Sequence, residues 1–146
     1  MSTKILTAVA LLLVGYAVGR VSSGPVAAQT AAASGGPVYE MRTYTANEGK
    51  SANMHARFRD HTLRLFTKHG MKNIGYWSPL EGPTAETTLI YILEHKSRED
   101  ARKSWAAFSA DPDWQKARTE SEAGGRILAK APDSIFLKPT DYSALK

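Results

Sequence analysis

Residues 87–95 read TTLIYILEH, and this short stretch decides the fold because it is apolar on both sides. Side chains alternate between the two faces of a β-strand. Leu89, Tyr91 and Leu93 therefore face one way, and Ile90 and Ile92 face the other. A strand that is apolar on both faces belongs in the centre of a sheet that is covered on both sides. The stretch is therefore predicted to be a central strand.

The neighbouring segments supply further strands and two helices. Alternation and flanking turn residues predict three more strands, at residues 38–45, 71–78 and 134–137. A long amphipathic helix is predicted at residues 50–69 and ends at Gly70 as a left-handed cap. Its inward stripe is predicted to contain Met54, Phe58, His61, Leu65 and His69. A second helix begins at Ser97, whose position three residues before Asp100 resembles a capping box.

A proline flanked by aspartates interrupts the second helical stretch. Pro112 cannot continue the preceding helix but suits the first turn of a new one, Asp111 can cap that turn, and Asp113 favours its positive end. Trp114 is expected to cover apolar surface at the bend. We interpret the four residues as a structural helix break, because capping accounts for both carboxylates without a catalytic pair.

The order strand, helix, strand, strand, helix, strand predicts an α+β fold, a ferredoxin-like βαββαβ sandwich with both helices on one face of the sheet. The helices cover only that face. Because residues 87–95 are apolar on both sides, the uncovered face is expected to need a partner. A second copy of the same sheet, or a partner protein, is the expected occupant.

The amino-terminal part differs in composition from the rest. It has no acidic residue before Glu40, and an uncharged run of 15 residues, 5–19, lies between Lys4 and Arg20. As a helix this run would span about 22 Å, against about 30 Å for a bilayer core. Two interpretations stay open: residues 1–21 are a signal peptide with a small-residue site at 26–28, or a hydrophobic helix that anchors the chain in the membrane through residues 5–21.

Residues 22–36 are rich in Ala, Ser and Gly, which favours a flexible tether before a folded domain at residues 37–146. Lys4 before the apolar run favours an amino terminus inside the cell and a domain outside it. We expect a protein of the bacterial inner membrane with a periplasmic domain, or one exported to the periplasm if the leader is cleaved.

The composition narrows the classes of function. The formal net charge is +5, but the charges of both signs are interspersed, so no nucleic-acid groove is expected. The chain has no cysteine, which excludes disulfides, a thiolate nucleophile and sulfur metal ligands. No phosphate loop, nucleophile elbow or zinc motif occurs. No cofactor is predicted.

Three groups of residues, in order along about 100 positions, resemble the NIPSNAP family, a branch of the dimeric α+β barrel superfamily. They are 39–44 (YEMRTY) followed by 49–50 (GK), 69–70 (HG) leading to 75–77 (GYW), and 110–114 (ADPDW). The resemblance implies a homodimer with two sheets face to face and, in some members, association with membranes or protein complexes. It implies no settled reaction, since superfamily relatives include cofactor-free monooxygenases, isomerases and haem enzymes.

The histidines do not predict a metal site. His61 and His69 are eight residues apart on the predicted helix, about 12 Å along its axis, whereas metal-binding pairs on a helix lie three or four residues apart. His55 lies six residues from His61. A structural or hydrogen-bonded role is therefore expected for these histidines.

Glu40 and Arg42 share one side of the first strand, which is expected to face the interior of the barrel between two sheets. They could orient a polar ligand or act in acid-base chemistry with Tyr44 or Tyr76, or they could form an ion pair at a dimer interface. No catalytic residue is assigned. The candidate cavity or interface residues are Glu40, Arg42, Tyr44, His61, His69, Tyr76 and Trp77. We expect a non-catalytic accessory module, with a small cofactor-free enzyme as the alternative.

Overall fold

The computed structural model describes residues 36–145. Strands β1 (Val38–Thr45), β2 (Lys72–Trp77), β3 (Thr88–His95) and β4 (Asp133–Leu137) form one antiparallel sheet in the order β2-β3-β1-β4. The helices cover one face of this sheet, so the predicted α+β ferredoxin-like order is confirmed and β3 is a central strand. The predicted amino-terminal hydrophobic helix lies outside the described residues. Between residues 36 and 145 no helix has the length and apolar character needed to cross a bilayer.

The first helical segment contains an irregular turn that the sequence did not predict. Helices α1 (Ser51–Arg57) and α2 (Leu63–Lys68) are joined by a π-helical turn, Phe58–Thr62, which holds one residue more than an α-helical turn. The Thr62 hydroxyl donates to the carbonyl of Arg57 at 3.1 Å. The turn shifts the buried face, so Thr62 takes the inward position and His61 is only half-buried. The prediction of a regular helix with His61 in its inward stripe is therefore wrong.

The second helical segment breaks at the predicted proline. Helix α3 (Arg98–Ala110) begins after Ser97, whose hydroxyl accepts from the Asp100 amide at 3.0 Å. Helix α4 (Pro112–Ser121) begins with the proline, and the Asp111 carboxylate caps it by accepting from the Asp113 amide at 2.8 Å. The chain thus turns between two helices, and Asp111 pairs the amides of Asp113 and Gln115 in the first turn of α4.

An aromatic core joins the helices to the covered face of the sheet. The Phe58 ring makes edge-on contacts with Tyr44 and Tyr91, at 5.4 Å and 5.3 Å between ring centroids. The Phe66 and Phe108 rings lie 4.9 Å apart and link the two helical segments. Each such pair contributes about 0.5–1.5 kcal/mol beyond its buried area. These contacts fix the helices against β1 and β3.

The other face of the sheet carries an apolar surface that we call the open face. It comprises Met41, Trp77, Ile90, Ile92, Ile135 and Leu137. Trp77 and Ile135 are each 50% exposed, and a Cβ added at Gly75 would lie 2.5 Å from the Trp77 ring, so this indole lies flat over the glycine. The carboxyl-terminal segment lies against part of the open face, where Pro139 and Leu145 line a pocket of about 300 Å³ together with Ile92 and Leu137.

Candidate functional site

Glu40 lies at the centre of a buried polar cluster on the covered face of the sheet. Its side chain is 2% exposed, and each carboxylate oxygen accepts two hydrogen bonds. The four donors are Arg42 Nη1 (3.0 Å) and Ser134 Oγ (2.6 Å) to Oε1, and His95 Nε2 (3.1 Å) and Trp105 Nε1 (2.6 Å) to Oε2. Two acceptor sites on each oxygen are thus filled.

The cluster joins four elements of the domain. Glu40 and Arg42 belong to β1, His95 to β3, Trp105 to α3 and Ser134 to β4. Burial alone would raise the pKa of Glu40, but the hydrogen bonds from His95, Ser134 and Trp105 and the charge of Arg42 lower it to about 2. Because Glu40 is ionised, Nε2 of His95 carries the proton that it donates. A carboxylate held in this way lacks a free lone pair with which to accept a proton from a substrate.

The structure corrects the predicted orientation of this group. Glu40 and Arg42 do share one side of β1, but that side faces the helices and not the space between two sheets. Tyr44 and Tyr76 lie on the same covered side, where the Tyr76 ring stacks on Tyr91 at 5.3 Å. Trp77 is the one predicted candidate of β2 that lies on the open face.

His69 belongs to a second, separate cluster. Its Nε2 lies 2.6 Å from Oδ2 of Asp111, and Nζ of Lys68 lies 2.8 Å from the same oxygen. These hydrogen bonds, from Lys68 first and His69 second, lower the pKa of Asp111 well below its usual range. The group ties the end of α2 to the first turn of α4.

The predicted histidines do not converge on one site. His61 lines a shallow pocket of about 200 Å³ beside α4, away from the His69 cluster. In the part of the chain that the structure describes, no three His, Asp or Glu side chains are grouped so as to hold a metal ion.

A cavity of about 370 Å³ lies between the covered face, α3, α4 and the loop that precedes β4. We call it the basic cavity, because its lining contains five cations and one carboxylate. The cations are Arg42, Arg57, Arg118, Arg126 and Lys130, and the carboxylate is Glu122. Glu122 is already paired with Arg57 at 3.1 Å and with Arg118 at 3.5 Å.

Sequence reasoning missed His95, Trp105 as a donor and Ser134 in the Glu40 cluster, Lys68 in the His69 cluster, and every charged residue of the basic cavity except Arg42, including Arg57. A signal was present for two of them. His95 lies two residues after Leu93 on β3, so alternation alone places both side chains on the same, covered face. Arg57 lies between Met54 and Phe58 on the apolar side of α1, where a buried arginine requires the partners that Ser121 and Glu122 provide.

The fold and the buried polar cluster define a ferredoxin-like α+β domain with an enclosed site between its sheet and helices. The NIPSNAP family model matches residues 39–144, and the chain belongs to the NIPSNAP family. The family assignment inferred from the three groups of residues is thereby confirmed.

Solved structures show the same fold. A NIPSNAP family protein from Agrobacterium tumefaciens is 21% identical, with a TM-score of 0.65, over 75% of this chain and 99% of that one. A NIPSNAP-like domain protein from Burkholderia xenovorans is 19% identical, with a TM-score of 0.62, over 73% and 88% of the two chains. A protein from Bordetella bronchiseptica described as a putative antibiotic biosynthesis monooxygenase is 15% identical, with a TM-score of 0.55, over 72% and 98%. A comparison with curated protein sequences found no match.

Proposed function

We propose that this chain is a non-catalytic interaction module that pairs with a second copy through its open face. In this proposal the leader tethers the domain to a membrane or exports it, and the paired domains serve as an accessory subunit of a membrane-associated protein complex. The observation that carries the proposal is the open face itself, an apolar surface on the side of the sheet away from the helices.

The composition of the open face suits burial against another protein. Its central positions, Ile90 and Ile92, come from β3, and the outer strands add Trp77 and Ile135, each half-exposed. Contiguous apolar surface of this kind marks interaction sites in soluble domains. A second copy is the occupant that we favour, because a two-fold axis brings the same apolar residues into contact from both sides.

The state of Glu40 supports a non-catalytic role. A general base must be able to accept a proton at the working pH, yet Glu40 has four donors and a pKa lowered to about 2. The basic cavity is the observation that favours the alternative, a cofactor-free enzyme. Its single carboxylate, Glu122, is paired with two arginines. The cavity therefore suits binding better than proton abstraction.

Light scattering coupled to size exclusion tests the pairing. We expect residues 37–146, which contain the family match at residues 39–144, to elute with twice the mass of one domain. Ile92→Glu places a charge in the middle of the open face and should give a monomer with unchanged circular dichroism. Ala106→Glu adds the same charge on the exposed side of α3 and should leave the dimer intact. A wild-type domain that is monomeric even at about 1 mM, before any 100-fold dilution, would refute the pairing.

Two further measurements test the setting of the module. Intact mass of the native protein from membrane and soluble fractions shows whether residues 1–28 are retained. If they are cleaved, the segment is a signal peptide for export and not a membrane anchor. Crosslinking in membranes, with Ile92→Glu as the negative control, tests the accessory role. Recovery of the same partners with the wild type and the variant would show that the open face does not recruit them.

A further inference from the structure

The geometry points to a ligand site in the basic cavity for a small organic anion, a carboxylate on a flat apolar body. This site lies on the covered side of the sheet and is independent of pairing through the open face. Three features of the cavity carry the inference: its charge, the way its arginines are held, and its aromatic walls.

The charge of the lining favours an anion. Five cations face one carboxylate, and the two carboxylates that pair with the lining from outside, Glu40 and Asp133, still leave an excess of positive charge. Arg126 lies exposed in the loop before β4 and makes no ion pair within residues 36–145. A concave surface with such an excess attracts anions before contact.

The two deepest arginines are held in place with donors to spare. The Arg42 guanidinium lies 4.2 Å from the Trp105 ring centroid, and the Arg57 guanidinium lies 5.3 Å from that of Trp114. Arg42 uses Nη1 to bind Glu40, and Arg57 uses Nη1 to bind Ser121 and Glu122.

The Nε atoms of Arg42 and Arg57 are both buried without a hydrogen-bond partner in the described part of the chain. Buried donors without partners are rare in folded proteins and call for a reason. Because these two atoms are closed to solvent, a ligand in the cavity would meet the Nη groups of the arginines, whose planar N–H donors match a carboxylate. Because the arginines are already positioned by other contacts, little side-chain ordering would oppose binding.

The walls favour a flat apolar body behind the anionic group. Trp105, Phe108 and Trp114 line the cavity together with Leu128. The volume of about 370 Å³ lies at the small end of the range for small-molecule sites. The cavity continues into a shallower groove of about 430 Å³ that shares Trp114 and Arg118 with it. This groove offers a path from solvent.

NMR titration of the domain with 2-naphthoate tests the site, because the three tryptophans of the chain report on different places. The indole N–H signals of Trp105 and Trp114 should shift in a saturable way, while that of Trp77 on the open face should not. The neutral analogue 2-naphthamide should bind at least about tenfold more weakly, since it lacks charge-assisted hydrogen bonds. Inorganic phosphate alone should not displace the naphthoate at equal concentration.

Charge variants separate a local site from the overall charge. Arg126→Gln should weaken naphthoate binding about threefold to fivefold, as expected for an exposed ionic contact. Arg102→Gln removes the same charge from the exposed side of α3 and should change nothing. Ile92→Glu should bind as the wild type does, which separates failure of this site from failure of pairing.

Four results would each overturn the assignment: no saturable shift up to about 10 mM naphthoate, a shift of Trp77 in place of the other two, equal binding of the neutral amide, or an equal loss with Arg102→Gln. Displacement by phosphate alone would also overturn it, because the apolar body would then have no role.

Discussion

Replacing Glu40 by glutamine should destabilise the domain in a way that depends on pH. The pKa of Glu40 is about 2 in the folded protein, against 4.5 for an ordinary glutamate. A difference of about 2.5 in pKa corresponds to about 3 kcal/mol of stability, at about 1.36 kcal/mol for each pKa unit. Glutamine removes the negative charge and turns an NH₂ group towards two of the four donors. We therefore expect Glu40→Gln to cost about 3 kcal/mol in unfolding free energy at pH 7.

The sign of the pH dependence follows from the lowered pKa. The unfolded chain binds a proton at Glu40 before the folded chain does, so the stabilisation is complete above pH 4.5 and disappears as the pH falls towards 2. About 2 kcal/mol of it is already lost at pH 3. The difference between the wild type and Glu40→Gln should therefore shrink to about 1 kcal/mol at that pH.

Urea unfolding at pH 7 and pH 3, followed by tryptophan fluorescence and circular dichroism, measures this difference. Glu86→Gln, an exposed glutamate in the loop before β3, is the matched control and should have little effect at either pH. A cost of Glu40→Gln that is the same at both pH values, or no larger than that of the control, would show that the ionised carboxylate does not stabilise the fold.

Three other substitutions test the contacts around the sites. Trp105→Phe keeps a ring but removes the indole donor to Glu40, and should lower the unfolding free energy by about 1.5–3 kcal/mol in urea titrations; an unchanged value would show that the bond does not stabilise the fold. Gly70→Ala places a side chain at φ +74° and should cost about 1–2 kcal/mol by the same assay. Asp111→Ala should lower the thermal midpoint seen by circular dichroism, since it removes the cap of α4, whereas Asp113→Ala at the exposed neighbouring position should lower it much less; equal effects would contradict the capping role.

The fold was predictable from local sequence patterns, because hydrophobic alternation and helix-capping residues determine the order of its strands and helices. The two apolar faces of residues 87–95 indicated a central strand, and Asp111 with Pro112 indicated where one helix ends and the next begins. The π-helical turn was not predictable, since the residues of Phe58–Thr62 fit a regular helix equally well. Arg57 and Thr62 are five residues apart and both are buried. This spacing fits a π-helical turn, and it becomes apparent only in the structure.

The orientation of β1 could not be read from alternation. Alternation shows that Glu40 and Arg42 share a face, but not which face the helices cover. The partners that decide this, His95, Trp105 and Ser134, lie 55, 65 and 94 residues further along the chain. A glutamate and an arginine also suggest a polar surface, whereas here Glu40 is buried and Arg42 is partly buried, because each has partners from distant elements.

The hydrogen bonds to Glu40 determine which parts of the domain can open locally. Side chains from three of the four strands and from one helix meet at the Glu40 carboxylate. If one of these elements detached, the carboxylate would lose a donor and stay charged in an apolar environment. Backbone amides of β1, β3 and β4 should therefore exchange their hydrogens for deuterium through one shared opening, at rates set by global unfolding. Strand β2 contributes no side chain to the cluster, so its amides should exchange faster, through an opening that leaves the cluster intact.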